Sequence, residues 1–215
     1  IRNYSLEIGF TASAFFAFLA GVFVLFLKID YSKAYSKEFN FKNAQWISKH
    51  GLYPFIIFTS QTLTFGAIIA FLPSISQARD LGNPGIFYAT YALTMLVARS
   101  LSGYLSDLIG RKSVIIPALF CSSFALVLIA LAQTQMMLVA ASVFYGVGFA
   151  SVQVVGFAIL IDTTPVKYHG SGLATYTNAW DVGGLLGGLV VGILIEIFNF
   201  TSAFLFCACL PIFAL

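Results

Sequence analysis

The chain has 215 residues, of which 60% are hydrophobic and 9% charged, with 23 phenylalanines. A soluble domain carries about 25% charged residues, so this balance excludes a water-soluble globular domain and indicates a polytopic, all-α membrane protein; the mean hydropathy of +0.94 agrees. The net charge of +3 is divided among separate segments and forms no patch, which argues against a nucleic-acid partner. Cys121, Cys207 and Cys209 all fall inside apolar runs. They suit small buried side chains, and no Cys/His pair has zinc spacing, so no metal is expected.

Seven hydrophobic segments follow one another, at 8–27, 51–72, 86–105, 114–132, 136–161, 172–195 and 203–215. A bilayer core of about 30 Å needs about 20 residues of helix, so the first six are long enough to cross and the seventh is short. Lipid offers the backbone no hydrogen-bond partner, which makes each segment a helix. The first run is too long, and its polar flanks are wrong, for a cleavable signal peptide. The chain starts at Ile1 and its last residues still read as helix interior, so a fragment of a longer polypeptide is expected.

Charge sets the orientation. Lys28, Lys33, Lys37, Lys42, Lys49, Arg111, Lys112 and Lys167 fall on one side, and Arg2 and Arg79 on the other with Glu7, Asp80 and Glu196. Eight cations against two place the lysine-rich side in the cytoplasm. The segments 28–50, 106–113 and 162–171 are then cytoplasmic loops. The longest, 28–50, reads as a solvated linker whose lysines serve topology, with Trp46 and Tyr53 as interfacial aromatics where the chain re-enters the membrane.

Between the third and fourth segments lies the elbow Gly103-Tyr-Leu-Ser-Asp107-Leu-Ile-Gly110-Arg111-Lys112. Gly103 and Asp107 share a helix face. Gly103 lets another backbone approach closely, and Gly110 is a helix terminator. A carboxylate at Asp107 sits against the negative end of its own helix and needs an external partner. Two candidates present themselves: Arg111, and the free amides where the sixth segment starts near His169-Gly170-Ser171. A surface ion pair that breaks as helix bundles separate would be a gating latch.

The run from Arg99 through Gly103, Asp107, Gly110, Arg111 and Lys112 resembles the signature loop of the major facilitator superfamily, in its second copy between the eighth and ninth helices. The stretch from Asp162 through Pro165 and His169 to Gly172 is similar to the family's tenth-to-eleventh loop, with His169 where family members often carry Arg. That departure replaces a permanent charge with a titratable ring, although a histidine without a role is the simpler reading. The resemblance implies that 1–27 is the last helix of an N-terminal bundle, 28–50 the central cytoplasmic loop and 51–215 a C-terminal six-helix bundle with its last helix truncated. It also implies that Arg99 is the arginine preceding the loop, snorkelling to the interface or pairing with the elbow.

Polar residues inside the spans are the candidate site. Asp181 lies ten residues after Ser171, about 15 Å along a helix, near mid-membrane, where an ionisable group is a functional hypothesis by default. Asn178 shares its face and Tyr176 is close. Asp181 reads either as a proton carrier or substrate contact, or as a structural clamp to a neighbouring helix. Gln61, with Thr62 and Thr64, and Gln153 could line a polar cavity between helices. Gly184, Gly188 and Gly192, with the parallel pair Gly183 and Gly187, form small faces for close helix packing, static or sliding.

The reading that follows is a permease resembling the drug and metabolite efflux branch. It would move a small solute by alternating access against the N-terminal bundle of the same polypeptide, in a cytoplasmic (inner) membrane of bacterial type. No nucleotide loop is present, so a proton gradient is the expected drive and no cofactor is expected. The alternative is a seven-helix receptor or photoreceptor, but no lysine follows Lys167 to carry a retinal Schiff base. No paired catalytic set stands at membrane depth, so the chain is not expected to be an enzyme.

Overall fold

A computed structural model describes residues 2–26 and 51–214. The expectations for the 28–50 loop, its lysines and Trp46, and for the side chain of Lys167, lie outside the described residues. The described chain forms α1 (Arg2–Phe26), α2 (Leu52–Ala78), α3 (Gly85–Ile109), α4 (Arg111–Ala130), α5 (Gln135–Thr163), α6 (His169–Ile197) and α7 (Phe200–Phe213). A 3-10 turn, Val166–Tyr168, leads into α6, and there is no strand among the described residues. Helix α1 belongs to one compact unit and α2–α7 to another.

Within the second unit α5 packs along both α3 and α4, α2 along α6, and α4 also along α7. The core is aliphatic on the α4 side, where Leu119, Leu126 and Ile129 are fully buried, and aromatic on the α2 side. Tyr145 of α5 is completely buried, with its hydroxyl 2.8 Å from Thr64 Oγ1 and donating to the Gln61 carbonyl at 3.2 Å. A buried phenol finds such partners because an unsatisfied hydroxyl costs about 1–3 kcal/mol.

Among the described residues four helices, α2, α4, α5 and α6, are long and apolar enough to cross a membrane. The sequence had suggested six. Helix α3 has the length, 25 residues, but Arg99, Asp107 and three serines interrupt its apolar surface. The apolar stretch described for α1 is shorter, Phe10–Phe23.

The α2–α6 seam is backbone against backbone. A Cβ on Gly183 would fall inside the Thr62 hydroxyl, and one on Gly187 inside the Leu63 carbonyl oxygen. From the other side, a Cβ on Gly66 would stand 2.7 Å from the Gly184 carbonyl oxygen. Thr62 Oγ1 donates to the Ala179 carbonyl at 2.6 Å across the same seam. The two glycine rows therefore do different things. Gly183 and Gly187 are buried in the seam, whereas Gly188 faces open space and Gly184 contributes only its backbone, to Gly66. Gly192 lies against the Phe71 ring, 3.3 Å from where a Cβ would be. Expecting all five to pack closely overlooked that rows one residue apart are rotated by about 100° around a helix.

The helix ends are fixed by short devices. Asn199 caps α7 through Oδ1, accepting from the Ser202 amide at 2.8 Å, and Thr134 caps α5 in the same manner. Gly110 alone separates α3 from α4, at φ 93° and ψ 153°, a region open essentially to glycine only. At the opposite end Arg79, just past α2, donates to the carbonyls of Ala130 and Ala132 at 2.9 and 3.2 Å and to Thr201 Oγ1 at 2.7 Å. One guanidinium thus ties α2 to the C-terminus of α4 and to the first turn of α7. A cation is favourable among the last carbonyls of a helix.

Candidate functional site

At the elbow, Arg111 is the centre of a small ionic group. Its Nη1 donates to Asp107 Oδ1, i,i+4, and to Ser106 Oγ at 2.8 Å, and its Nε donates to Asp162 Oδ2 at 3.0 Å. Asp107 stands in the last turn of α3, Arg111 in the first turn of α4, and Asp162 in the last turn of α5. Each charge is unfavourable against its own helix dipole, and the three offset one another. Of the two partners foreseen for Asp107, the structure provides Arg111; the start of α6 is occupied otherwise. There His169 Nε2 is 2.8 Å from the Thr164 carbonyl oxygen, closing the turn that precedes α6.

The group is open to solvent, with the Asp107 and Asp162 side chains 69% and 52% exposed. Exposed pairs contribute about 0–1 kcal/mol each, so this contact is easy to break. Lys112 is exposed beside it, with no ion-pair partner among the described residues. Gly103 meets the Val154 side chain of α5, which a Cβ would touch at an ordinary 3.5 Å. Within α2–α7 no backbone approaches it, contrary to the sequence expectation.

Arg99 is not part of the elbow. It lies eight residues earlier on α3, about 12 Å deeper, and its Nη2 donates to Gln153 Oε1 at 2.6 Å. The expected pairing with the loop is replaced by this contact because Arg99 and Gln153 face each other across the α3–α5 packing. Both residues line a cleft of about 330 Å³ where α2, α3, α5 and α6 converge. Phe58 comes from α2, Phe157 from α5, and Tyr176, Thr177 and Trp180 from α6. The Tyr176 hydroxyl donates to the Gln153 carbonyl at 2.8 Å. The Phe58 and Tyr176 rings stack at 4.7 Å and 13°, and Trp180 meets Phe58 edge-on at 5.5 Å. Offset and edge-on ring pairs add about 0.5–1.5 kcal/mol to simple burial, so the wall is firm.

Of the five polar residues expected at the site, Gln153 and Tyr176 therefore come together, joined by Arg99. Gln61 does not join them: its side chain is fully buried in the α2–α5 contact. Asp181 and Asn178 are exposed on α6 and do not line the cleft. Asp181 follows Thr177 by four residues, hence on the same ridge one turn further from the elbow, and no hydrogen bond or ion pair joins it to another described residue. Beyond Trp180 a second opening of about 400 Å³ runs between α2 and α6, past Gly66, Gly184 and Gly188. Trp180 walls both. Its place on the cleft side of α6, four residues past Tyr176, was a signal available in the sequence.

Comparison with known proteins gives the family. The family profile described as Major Facilitator Superfamily matches residues 55–215. A Yersinia enterocolitica protein named "Putative multidrug resistance protein MdtD" is 30% identical over 143 residues, 65% of this chain and 30% of that protein. Proteins of the same name from Yersinia pestis and Yersinia pseudotuberculosis are 30% identical over 152 residues, 69% of this chain and 32% of theirs. The chain thus spans about a third of the length of the curated relatives it matches. The family match reaches from the first turn of α2 to the last residue and takes in both elbow and cleft, so this integral, multi-pass membrane protein belongs to the major facilitator superfamily.

Proposed function

We propose that α2–α7 are the C-terminal bundle of a secondary transporter that moves a small solute by alternating access, with α1 as the last helix of the N-terminal bundle. The observation that carries this reading is the cleft itself. Four helices each bring a face to one polar-floored, aromatic-walled space holding an arginine. Charged groups that face a cavity between helices of a membrane protein mark substrate or ion pathways, and a midplane site between two bundles is what rocking carriers use.

The elbow supports the same reading. Its charges hold α3, α4 and α5 together at the cytoplasmic ends, with exposed bonds that a rocking motion can exchange. Asp181, unpaired among the described residues and one turn from the cleft, is the candidate proton carrier. The multidrug-resistance names of the relatives favour export, and their bacterial source favours an inner-membrane location.

The test is transport by the full-length protein in proteoliposomes, with a panel of small solutes, with and without an imposed pH gradient. Solute accumulation that follows the gradient, and that loses its pH dependence in Asp181→Asn, is the expected result. Full pH dependence in Asp181→Asn would make Asp181 structural, and absence of any solute movement would remove the transport reading.

A further inference from the structure

We propose that the cleft at Arg99 recognises organic anions: solutes that join a carboxylate or similar acidic group to a flat apolar body. The inference rests on the transport reading above and names the substrate class of that site. Three observations carry it. First, Arg99 has no carboxylate within ion-pair distance among the described residues; its bonded partner is the neutral amide of Gln153. A guanidinium offers five donors in a planar fork, and one bond to Gln153 Oε1 leaves an edge open to the cleft. That edge fits a carboxylate in two parallel hydrogen bonds. A guanidinium that lines an aromatic cleft with no carboxylate beside it among the described residues is open to an anionic ligand.

Second, the walls suit a flat body. Phe58, Phe157, Tyr176 and Trp180 surround the space, and a volume of about 330 Å³ is at the lower end of the range for small-molecule sites. A cationic solute would meet these rings favourably but would face Arg99, and like charges in a low-dielectric cleft repel strongly. The arginine therefore selects against cations as it selects for anions.

Third, one residue orients both polar contacts. Gln153 accepts from Arg99 through its side chain and from Tyr176 through its main chain. It is a positioning residue that fixes the fork relative to the ring.

The experiment uses benzoate, benzamide and benzylamine, which share one ring and differ in charge. Binding to the detergent-solubilised full-length protein is measured by calorimetry, for wild type, Arg99→Gln, Arg99→Lys and Gln153→Glu, each first checked for folding by size exclusion. Benzoate is expected to bind about tenfold or more tighter than benzamide, since a hydrogen bond to a charged group contributes about 1.5–3 kcal/mol. Arg99→Gln should erase that preference and Arg99→Lys keep part of it. Gln153→Glu should erase it with the arginine still in place, by supplying an internal carboxylate, an effect that mere loss of packing does not produce. A wild type that does not prefer benzoate overturns the proposal. So does a preference that survives Arg99→Gln, which would mean that Arg99 is spoken for by a carboxylate elsewhere in the full-length protein. Counterflow of the same three solutes in proteoliposomes separates the two readings. Benzoate preference without movement of any solute removes transport and leaves the anion site. Movement of benzamide or benzylamine without benzoate preference leaves transport and removes the anion site.

Discussion

The two ends of the six-helix unit are each tied by one arginine, in opposite ways. Arg79 bonds to neutral acceptors, two main-chain carbonyls and a hydroxyl, on α4 and α7 and on the turn between α4 and α5. Arg111 bonds to two exposed carboxylates on α3 and α5. The carbonyls at the Arg79 end belong to a helix end and the turn after it, where the guanidinium supplies a donor that the helix does not. The carboxylates at the Arg111 end can exchange their partner for water or for another cation at little cost. One end is a fixed knot and the other an exchangeable one, which is the asymmetry expected if the Arg111 end opens and closes while the Arg79 end keeps its shape.

The comparison breaks first at Arg79. Arg79→Ala in the full-length protein should destabilise by about 3 kcal/mol through three lost bonds from a charged donor, read as a lower melting temperature in detergent. Arg79→Lys should recover part of it, because an ammonium lacks the fork that reaches all three acceptors. If Arg79→Ala melts with the wild type, the fixed knot is fictional. Next in size is Gly110→Ala, which forces a side chain into a glycine-only region and should cost about 1–3 kcal/mol. Nothing stands within 4 Å of a Cβ there, so a normal melting curve would show that the conformation itself relaxes freely.

Asp107→Asn and Asp162→Asn should each change stability by less than about 1 kcal/mol and yet slow transport without preventing membrane insertion. Normal transport rates in both would end the idea of a gating latch. The smallest effect is expected at Gly103→Ala. The added methyl meets Val154 at ordinary contact distance, and stability should change by less than about 0.5 kcal/mol. A large loss of transport with a normal melting curve would show that Gly103 faces a backbone outside α2–α7.

Much of the helical layout was legible in the sequence because it is written in local hydropathy. The elbow was legible because Asp107 and Arg111 are four residues apart across the Gly110 joint, a separation short enough for the turn itself to bring them together. Contacts between distant positions were not. Arg99 meets Gln153 over 54 residues and Arg79 meets Thr201 over 122, and both depend on how neighbouring helices are rotated and offset. The same limit explains the glycines of α6. Their spacing announces small faces, but only the position of α2 decides that Gly183 and Gly187 are buried and Gly188 is not.

Gly110 ends one helix and begins the next with no residue to spare. A linker of several residues would let α3 tilt while α4 stayed still. A single-residue joint keeps the end of α3 and the start of α4 adjacent. A displacement of the Gly110 end of α3 therefore also displaces the first turn of α4, and α4 in turn packs along α7. The hairpin thus couples α3, which lines the Arg99 cleft, to α4 and α7, which do not.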